Sequence, residues 1–168
     1  AAKAVELAGN VVTEEANQYA HLILEETEVA GLSPNQVAYV MATVQRESLM
    51  GVHLEEIPQG DPVAYFNNKY SHRADLGNQG GNDGYNYRGR GFVQLTGRAN
   101  YQKYTDLSEE IFGEPIDFIN NPDRAAEPEI AAKILIHGMK TGSYTGASLD
   151  DYINENETDY YDARRVIN

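Results

Sequence analysis

Apolar residues recur at helical spacing at several places along the chain. Val12, Ala16, Tyr19, Ala20, Ile23 and Leu24 fall on one face, with Glu14, Glu15, Glu25 and Glu26 largely on the other. This spacing predicts an amphipathic helix that Gly31 stops. The run Glu25-Glu26-Thr27-Glu28 reads as a solvated face. The next helix is the best marked. Ser33 is a good N-cap, Pro34 suits the first helical position, and Gln36 completes a capping-box pattern. Val37, Val40, Met41, Val44 and Ser48 follow on one face. Asp61 and Pro62 open a predicted helix over 62–70, and Pro128 opens a longer one over 128–140 that buries Ile130, Ile134 and Leu135. A last helix is predicted from Tyr160 to Ile167, and Thr96 is placed as the cap of a short helix through Tyr104.

Between Gly77 and Gly91 the periodicity breaks. Glycines at 77, 80, 81, 84, 89 and 91 fall among Asn78, Asn82, Asp83, Tyr85, Asn86 and Tyr87, which predicts a long loop or a small irregular hairpin. Loops of this length within compact domains are often functional. The expected fold is mainly α, with a minor sheet around residues 76–95. A chain of 168 residues that is 41% hydrophobic, without an internal repeat or a low-complexity linker, is expected to form one domain over 1–168.

Composition excludes several classes of function. There is no cysteine, hence no disulfide framework and no thiolate metal site. His21, His53, His72 and His137 lack metal-ligand spacing, and Asp75–Asp83 lacks the EF-hand arrangement, so no metal or cofactor is expected. Ser48 has no partnered histidine in view and is not read as a nucleophile. No apolar run approaches the length of a membrane span, and the start Ala1-Ala2-Lys3-Ala4 shows no signal-peptide pattern. A net charge of −13 opposes nucleic-acid binding, and Arg88-Gly89-Arg90-Gly91 is a single short motif.

The charge is nevertheless uneven. Residues 61–105 hold the basic side chains Lys69, Arg73, Arg88, Arg90, Arg98 and Lys103 against the acidic Asp61, Asp75 and Asp83. Two readings stand. These cations brace a loop by bonding carbonyls and carboxylates, or they form a patch for an anionic ligand.

Candidate chemistry begins with Glu47. It follows Val40 by seven residues and Val44 by three, along the apolar face of its helix and at its C-terminal end before Gly51. Apolar surroundings and the negative end of a helix both favour a protonated carboxyl, which a general acid requires. The alternative is an ordinary helix-end glutamate paired with Arg46 or another arginine. Glu55 and Glu56 follow in a non-periodic stretch that ends at Pro58. An inverting glycosidase needs two carboxyl groups roughly 6.5–9.5 Å apart. The third element, residues 87–101, offers Gln94, Thr96 and Asn100 as groups suited to sugar hydroxyls and N-acetyl groups, and Tyr85, Tyr87 and Tyr101 as stacking rings. Its bland reading is a glycine-rich turn feeding a core strand and a capped helix.

The run Tyr87-Arg88-Gly89-Arg90-Gly91-Phe92-Val93-Gln94-Leu95-Thr96-Gly97-Arg98-Ala99-Asn100-Tyr101 closely resembles the signature of family 19 glycoside hydrolases, the chitinases and related phage endolysins of lysozyme-like fold. Arg46-Glu47-Ser48 resembles the family's His-Glu-Ser/Thr, which carries the catalytic acid at a helix end. In the compact bacterial and phage members the second glutamate follows nine positions later, which selects Glu56. Asn120-Asn121-Pro122-Asp123, the helix from Pro128, and Ala163-Arg164-Arg165-Val166-Ile167-Asn168 resemble later segments, so the resemblance runs from about residue 32 to the end. It implies a lysozyme-like α+β fold with a small irregular β-hairpin region. It further implies that Glu47 protonates the leaving oxygen, that Glu56 acts as base on a water, and that Thr96 helps hold that water. Gln94, Asn100 and Asn168 match sugar-contacting positions.

The implied reaction is metal-free hydrolysis with inversion of a β-1,4 bond in an N-acetylglucosamine-containing polymer, either peptidoglycan or chitin, by a monomer. The basic stretch 61–105 and the lack of a chitin-binding module or secretion signal lean towards peptidoglycan. The alternative of another class is an impaired or non-catalytic amino-sugar polymer-binding protein on the same fold, and a lytic transglycosylase would use one glutamate and no base. The chain departs from the family pattern at Arg46, at Leu49-Met50 in place of Gly-Gly, at Ala99 in place of tyrosine, and in stopping at Asn168. The arginine that plant members carry beyond that point is then expected to be replaced, if at all, by Arg164 or Arg165.

Overall fold

A computed structural model describes residues 14–168 of the chain. Val12 of the first predicted helix and the Ala1–Ala4 start lie outside the described residues. The described chain is mainly helical, as expected, with isolated antiparallel bridges where a sheet was predicted. No helix among the described residues is long and apolar enough to cross a membrane. The chain divides into two compact units, one built from the residues up to Val52 together with Ala132–Asn168, the other from His53–Ala131. The first is discontinuous in sequence, and no local composition marks that division.

In the first unit the Glu14–Val29 helix buries Ala16, Ala20, Ile23 and Thr27. Gly31, at φ 71°, ends it as expected, with the Leu32 N–H donating to the Thr27 carbonyl at 3.0 Å. Glu26 is not simply a solvated charge, because Lys133 of the Pro128–Thr141 helix pairs with it at 2.9 Å. The Pro34–Ser48 helix carries the full capping box: Gln36 N–H donates to Ser33 Oγ and Ser33 N–H to Gln36 Oε1. Its buried positions are Gln36, Val40, Val44 and Ser48, a strict four-residue stripe. Gln36 is tolerated there because its amide donates to Asp150 Oδ1 at 2.6 Å and to the Ile153 carbonyl at 2.8 Å. The Pro128–Thr141 helix buries Ile130, Ile134 and Leu135 as predicted, and also Ile136 and Met139. The predicted helix over 160–167 is a 3-10 turn, Asp162–Val166, which buries Ala163 and Val166.

The Pro34–Ser48 helix ends abruptly. Leu49, Met50 and Gly51 have φ of 50°, 57° and 88°, three consecutive left-handed residues of which two carry side chains. Met50 is buried, which offsets its backbone cost; Leu49 is 43% exposed and gains little in return. Replacing Leu49 by Gly is expected to raise stability by roughly 0.5–1 kcal/mol, read as a higher denaturation midpoint at unchanged slope. Met50→Gly should instead lose roughly 2–4 kcal/mol with its buried side chain.

In the second unit the Pro62–Tyr70 helix is capped by Asp61, whose Oδ2 accepts from the Ala64 N–H at 2.9 Å. The glycine-rich stretch is more helical than its composition suggests. It contains a 3-10 turn at Ala74–Leu76 and a short helix at Asp83–Asn86. Gly84 explains part of this: a Cβ there would lie 2.2 Å from the Phe66 carbonyl, so only glycine lets this turn settle against the Pro62–Tyr70 helix. What remains of the hairpin is the bridge Arg90↔Leu95 and its neighbour Glu55↔Arg90. The predicted short helix is Arg98–Asp106, but Thr96 does not cap it. Gly97 occupies that position at φ 95°, and the first free N–H, from Arg98, donates to Asn78 Oδ1 at 2.8 Å. The elements Ser108–Phe112 and Pro122–Ala126 went unpredicted.

The arginines of this unit act as braces. Arg98 forms a two-pronged pair with Asp83, at 2.8 and 2.7 Å, and Arg73 pairs with Asp75 in the same way. Asp83 is 5% exposed, and the Arg98 guanidinium holds its carboxyl below the usual range against the opposing effect of burial. A depressed folded-state pKa contributes stability that is complete above the unfolded value of about 3.9 and is lost as pH falls through the folded value. Asp83→Asn is therefore expected to cost roughly 2–4 kcal/mol at pH 7, and to flatten the acid side of a stability-against-pH curve.

Candidate active site

The two glutamates nominated by sequence lie in different units, and each has its own surroundings. In the first unit, Glu47 is half-buried in the last turn of the Pro34–Ser48 helix. The most buried position of that turn belongs to Ser48, whose hydroxyl donates to the Val44 carbonyl at 3.1 Å, so Glu47 lies at the flank of the apolar stripe. There it lines a pocket of about 190 Å³ with Tyr39, Thr43, Arg46, Arg164, Ile167 and Asn168. Glu47 takes part in none of the ion pairs found among the described residues, so the pairing with Arg46 is not observed. Of the two tail arginines, Arg164 lines this pocket, whereas Arg165 lies 3.6 Å from Asp162. Burial pushes the Tyr39 hydroxyl above its ordinary range; Thr43, Arg46 and Arg164 oppose this and Glu47 adds to it. A glutamate, two arginines, an asparagine and a tyrosine thus border one small space. Tyr39 and Thr43 carried no sequence signal beyond their place about two turns and one turn before Glu47.

In the second unit the adjacent glutamates separate cleanly. Glu55 is exposed and turned to the arginines, 3.5 Å from Arg88 and 3.6 Å from Arg90. The Glu56 side chain is 20% exposed. Its Oε1 accepts from Lys69 Nζ at 2.5 Å, and the Tyr70 hydroxyl lies 3.0 and 2.9 Å from its two oxygens. Lys69 also sits over the Tyr65 and Tyr70 rings, and its ammonium is held above the usual lysine range chiefly by the bond to Glu56. Burial pushes the Tyr70 hydroxyl up, so it stays protonated, as a donor must. Lys69 and Tyr70 were not foreseen. They close the Pro62–Tyr70 helix, and only the fold brings them to residue 56.

Gln94 belongs to the same neighbourhood. Its backbone is left-handed, at φ 61°, and its amide donates to the carbonyls of His53 and Gly91 at 2.9 and 3.0 Å. Those bonds aim Oε1 at Gly89, where an added Cβ would meet Gln94 Oε1 at 2.7 Å and Glu56 Oε2 at 3.2 Å. The Glu56 N–H donates to the Gly89 carbonyl at 2.9 Å. Thr96 is half-buried and donates to the Gln94 carbonyl at 3.0 Å; Asn100 donates to the Thr96 carbonyl at 2.8 Å. Asn100, Thr96 and Gln94 thus form a chain of hydrogen bonds within this unit, and Gln94 and Glu56 both border Gly89.

The tyrosines behave otherwise. Tyr87 is 3% exposed and bonds the Ile119 carbonyl; Tyr101 is fully buried, accepts from Arg90 and donates to the Arg88 carbonyl at 2.6 Å. Neither presents a face to a sugar. Burial pushes the Tyr101 hydroxyl up to about 12, so it is a neutral structural donor. Tyr85 is half-buried with the Arg88 guanidinium 4.4 Å from its ring centre. Likewise Lys69, Arg73, Arg88, Arg90 and Arg98 are all engaged with carboxylates, which favours bracing over an anion patch. Asn168 is exposed and is one of the residues that line the Glu47 pocket.

No protein-family model matches the chain. A curated Haemophilus influenzae protein, named as a glycosyl hydrolase family 19 domain-containing protein, is 34% identical to it over 70 residues. That stretch is 41% of this chain and 34% of the relative, so the match spans about a third of the relative's length. The chain is therefore similar, as a distant relative, to a glycoside hydrolase.

Crowding around residue 89 gives a direct test. Gly89→Ala should displace Gln94 or Glu56 and cost roughly 1–3 kcal/mol, measured by chemical denaturation.

Proposed function

We propose that residues 1–168 form one catalytic domain of an inverting glycoside hydrolase, acting as a monomer on the β-1,4 bonds of an N-acetylglucosamine-containing polymer. Glu47 is the general acid and Glu56 the general base. The carrying observation is the contrast between neighbours: Glu55 is exposed beside two arginines, while Glu56 is held by Lys69 and Tyr70 with the Gln94 amide at hand. A base must keep one direction; the Lys69 ammonium and the Tyr70 hydroxyl, both bonded to the carboxylate, fix the orientation of Glu56. Glu47 supports the acid role differently. Half-buried and without an ion-pair partner among the described residues, it shares a pocket with Asn168, a position the sequence resemblance also nominates.

In this scheme a proton passes from the Glu47 carboxyl to the glycosidic oxygen as the bond to the anomeric carbon breaks. A water attacks that carbon from the opposite face and gives its proton to Glu56. Thr96 and Gln94 steady the water and the reacting sugar, and Asn100 and Asn168 contact the polymer. The products are two shorter chains, the new reducing end carrying the inverted configuration.

Both chitin and peptidoglycan present this bond. The paired cations of 61–105 remove the argument for peptidoglycan from a free basic patch, so the reading rests at the shared backbone. Wild-type protein incubated with chitin oligomers and with purified cell wall is expected to release α-configured reducing ends, followed by NMR before mutarotation. Glu47→Gln and Glu56→Gln are each expected to lower the rate by roughly 10²–10⁴-fold. Undiminished rates in either variant would remove that residue from the scheme. Binding of both polymers without cleavage would favour the non-catalytic alternative.

A further inference from the structure

The Glu47 pocket, at about 190 Å³, is smaller than the roughly 300–1,000 Å³ of ordinary ligand sites. A polymer with one residue in it must run on across the neighbouring surface. Stacking surfaces for pyranose rings were expected from Tyr87 and Tyr101, but both are buried. Among the described residues, the large hydrophobic side chains left exposed include two aromatics, Tyr160 at 45% and Tyr161 at 72%.

Both adjoin the pocket through residues that line it. The Tyr160 ring stacks on Tyr39, with centroids 6.1 Å apart and planes within 5°. The Arg164 guanidinium lies 4.0 Å from the Tyr161 ring centre. Tyr39 and Arg164 are themselves pocket walls. Arg164 covers one face of Tyr161, and at this degree of exposure the other faces solvent. The apolar C–H face of a β-linked pyranose packs on such a ring, while its hydroxyls accept from a guanidinium held in place.

We infer that Tyr161, fixed by Arg164, and Tyr160, fixed by Tyr39, form a sugar-stacking platform that continues the Glu47 pocket and binds the next units of a β-1,4 amino-sugar polymer. The occupant rests on the proposed function; the platform itself rests on the exposure and packing of these four residues.

The test measures binding apart from cleavage. Full-length Glu47→Gln protein is titrated onto chitin beads and onto purified cell-wall particles, alone and with Tyr160→Ala, Tyr161→Ala or Tyr161→Phe added. Each alanine is expected to weaken binding to the preferred polymer about fivefold or more, and Phe to stay within about twofold, since the ring face carries the contact. Thermal unfolding should be nearly unchanged for Tyr161→Ala, whose side chain is 72% exposed, and should fall slightly for Tyr160→Ala, which also loses the stack on Tyr39. Tyr161→Ala binding as tightly as its parent, or a parent that binds neither polymer, would overturn the platform. Hydrolysis by the otherwise wild-type chain separates the two claims. Cleavage with no dependence of KM on Tyr160 and Tyr161 sinks the platform and leaves the glycosidase reading; tyrosine-dependent binding without cleavage does the reverse.

Discussion

The second unit is organised around a buried positive charge. Arg90 is 1% exposed, and a bare guanidinium there would cost several kcal/mol, so its neighbours must converge on it. They do. One nitrogen donates to the Asn86 carbonyl and the Tyr101 hydroxyl, another to Asp123 at 2.9 Å, and Nε finds Glu55 only at 3.6 Å without a hydrogen bond. Burial works against the charge, and Tyr101, Asp123 and Glu55 together outweigh it, holding the group above its ordinary pKa. The backbone of the same residue bridges to Glu55 and to Leu95. One side chain thus joins the glycine-rich stretch, the helix that carries Tyr101 and the turn at Asp123.

That constraint bears directly on the candidate base. Alternate residues of an extended segment point to opposite sides, so engaging Glu55 with Arg88 and Arg90 turns Glu56 the other way, towards Lys69 and Tyr70. The run Tyr87–Tyr101 therefore combines two structural roles. Arg88, Arg90 and Tyr101 build the support; Gly89 leaves space beside Glu56, and Gln94 borders that space.

Much of the fold could be read from local signals. Ser33-Pro34 with Gln36, and Asp61-Pro62, mark helix starts because their side chains satisfy N–H groups a few residues away, so the information is local. The glycine-rich stretch was harder: its short helix depends on Gly84 meeting a carbonyl eighteen positions earlier, and the helix at Arg98 is capped by Asn78. The tyrosines misled for a similar reason. A ring in a polar, glycine-rich run looks like a ligand contact, and only the tertiary partners of Tyr87 and Tyr101 show them to be core. The carboxylates could be nominated from sequence, but Lys69 and Tyr70 could not, since nothing near them in the chain refers to residue 56.

The left-handed run at Leu49–Gly51 has a consequence for how this region tolerates length changes. A helix that frays at its end can absorb an inserted or deleted residue by sliding its last turn. One that meets a fixed stop cannot. Each residue advances a helix by about 1.5 Å and 100°. A single insertion ahead of the stop would therefore swing position 47 off the pocket wall and into the helix's solvent or core side. The segment from Val40 to Gly51 is thus expected to tolerate substitution more readily than a change of length.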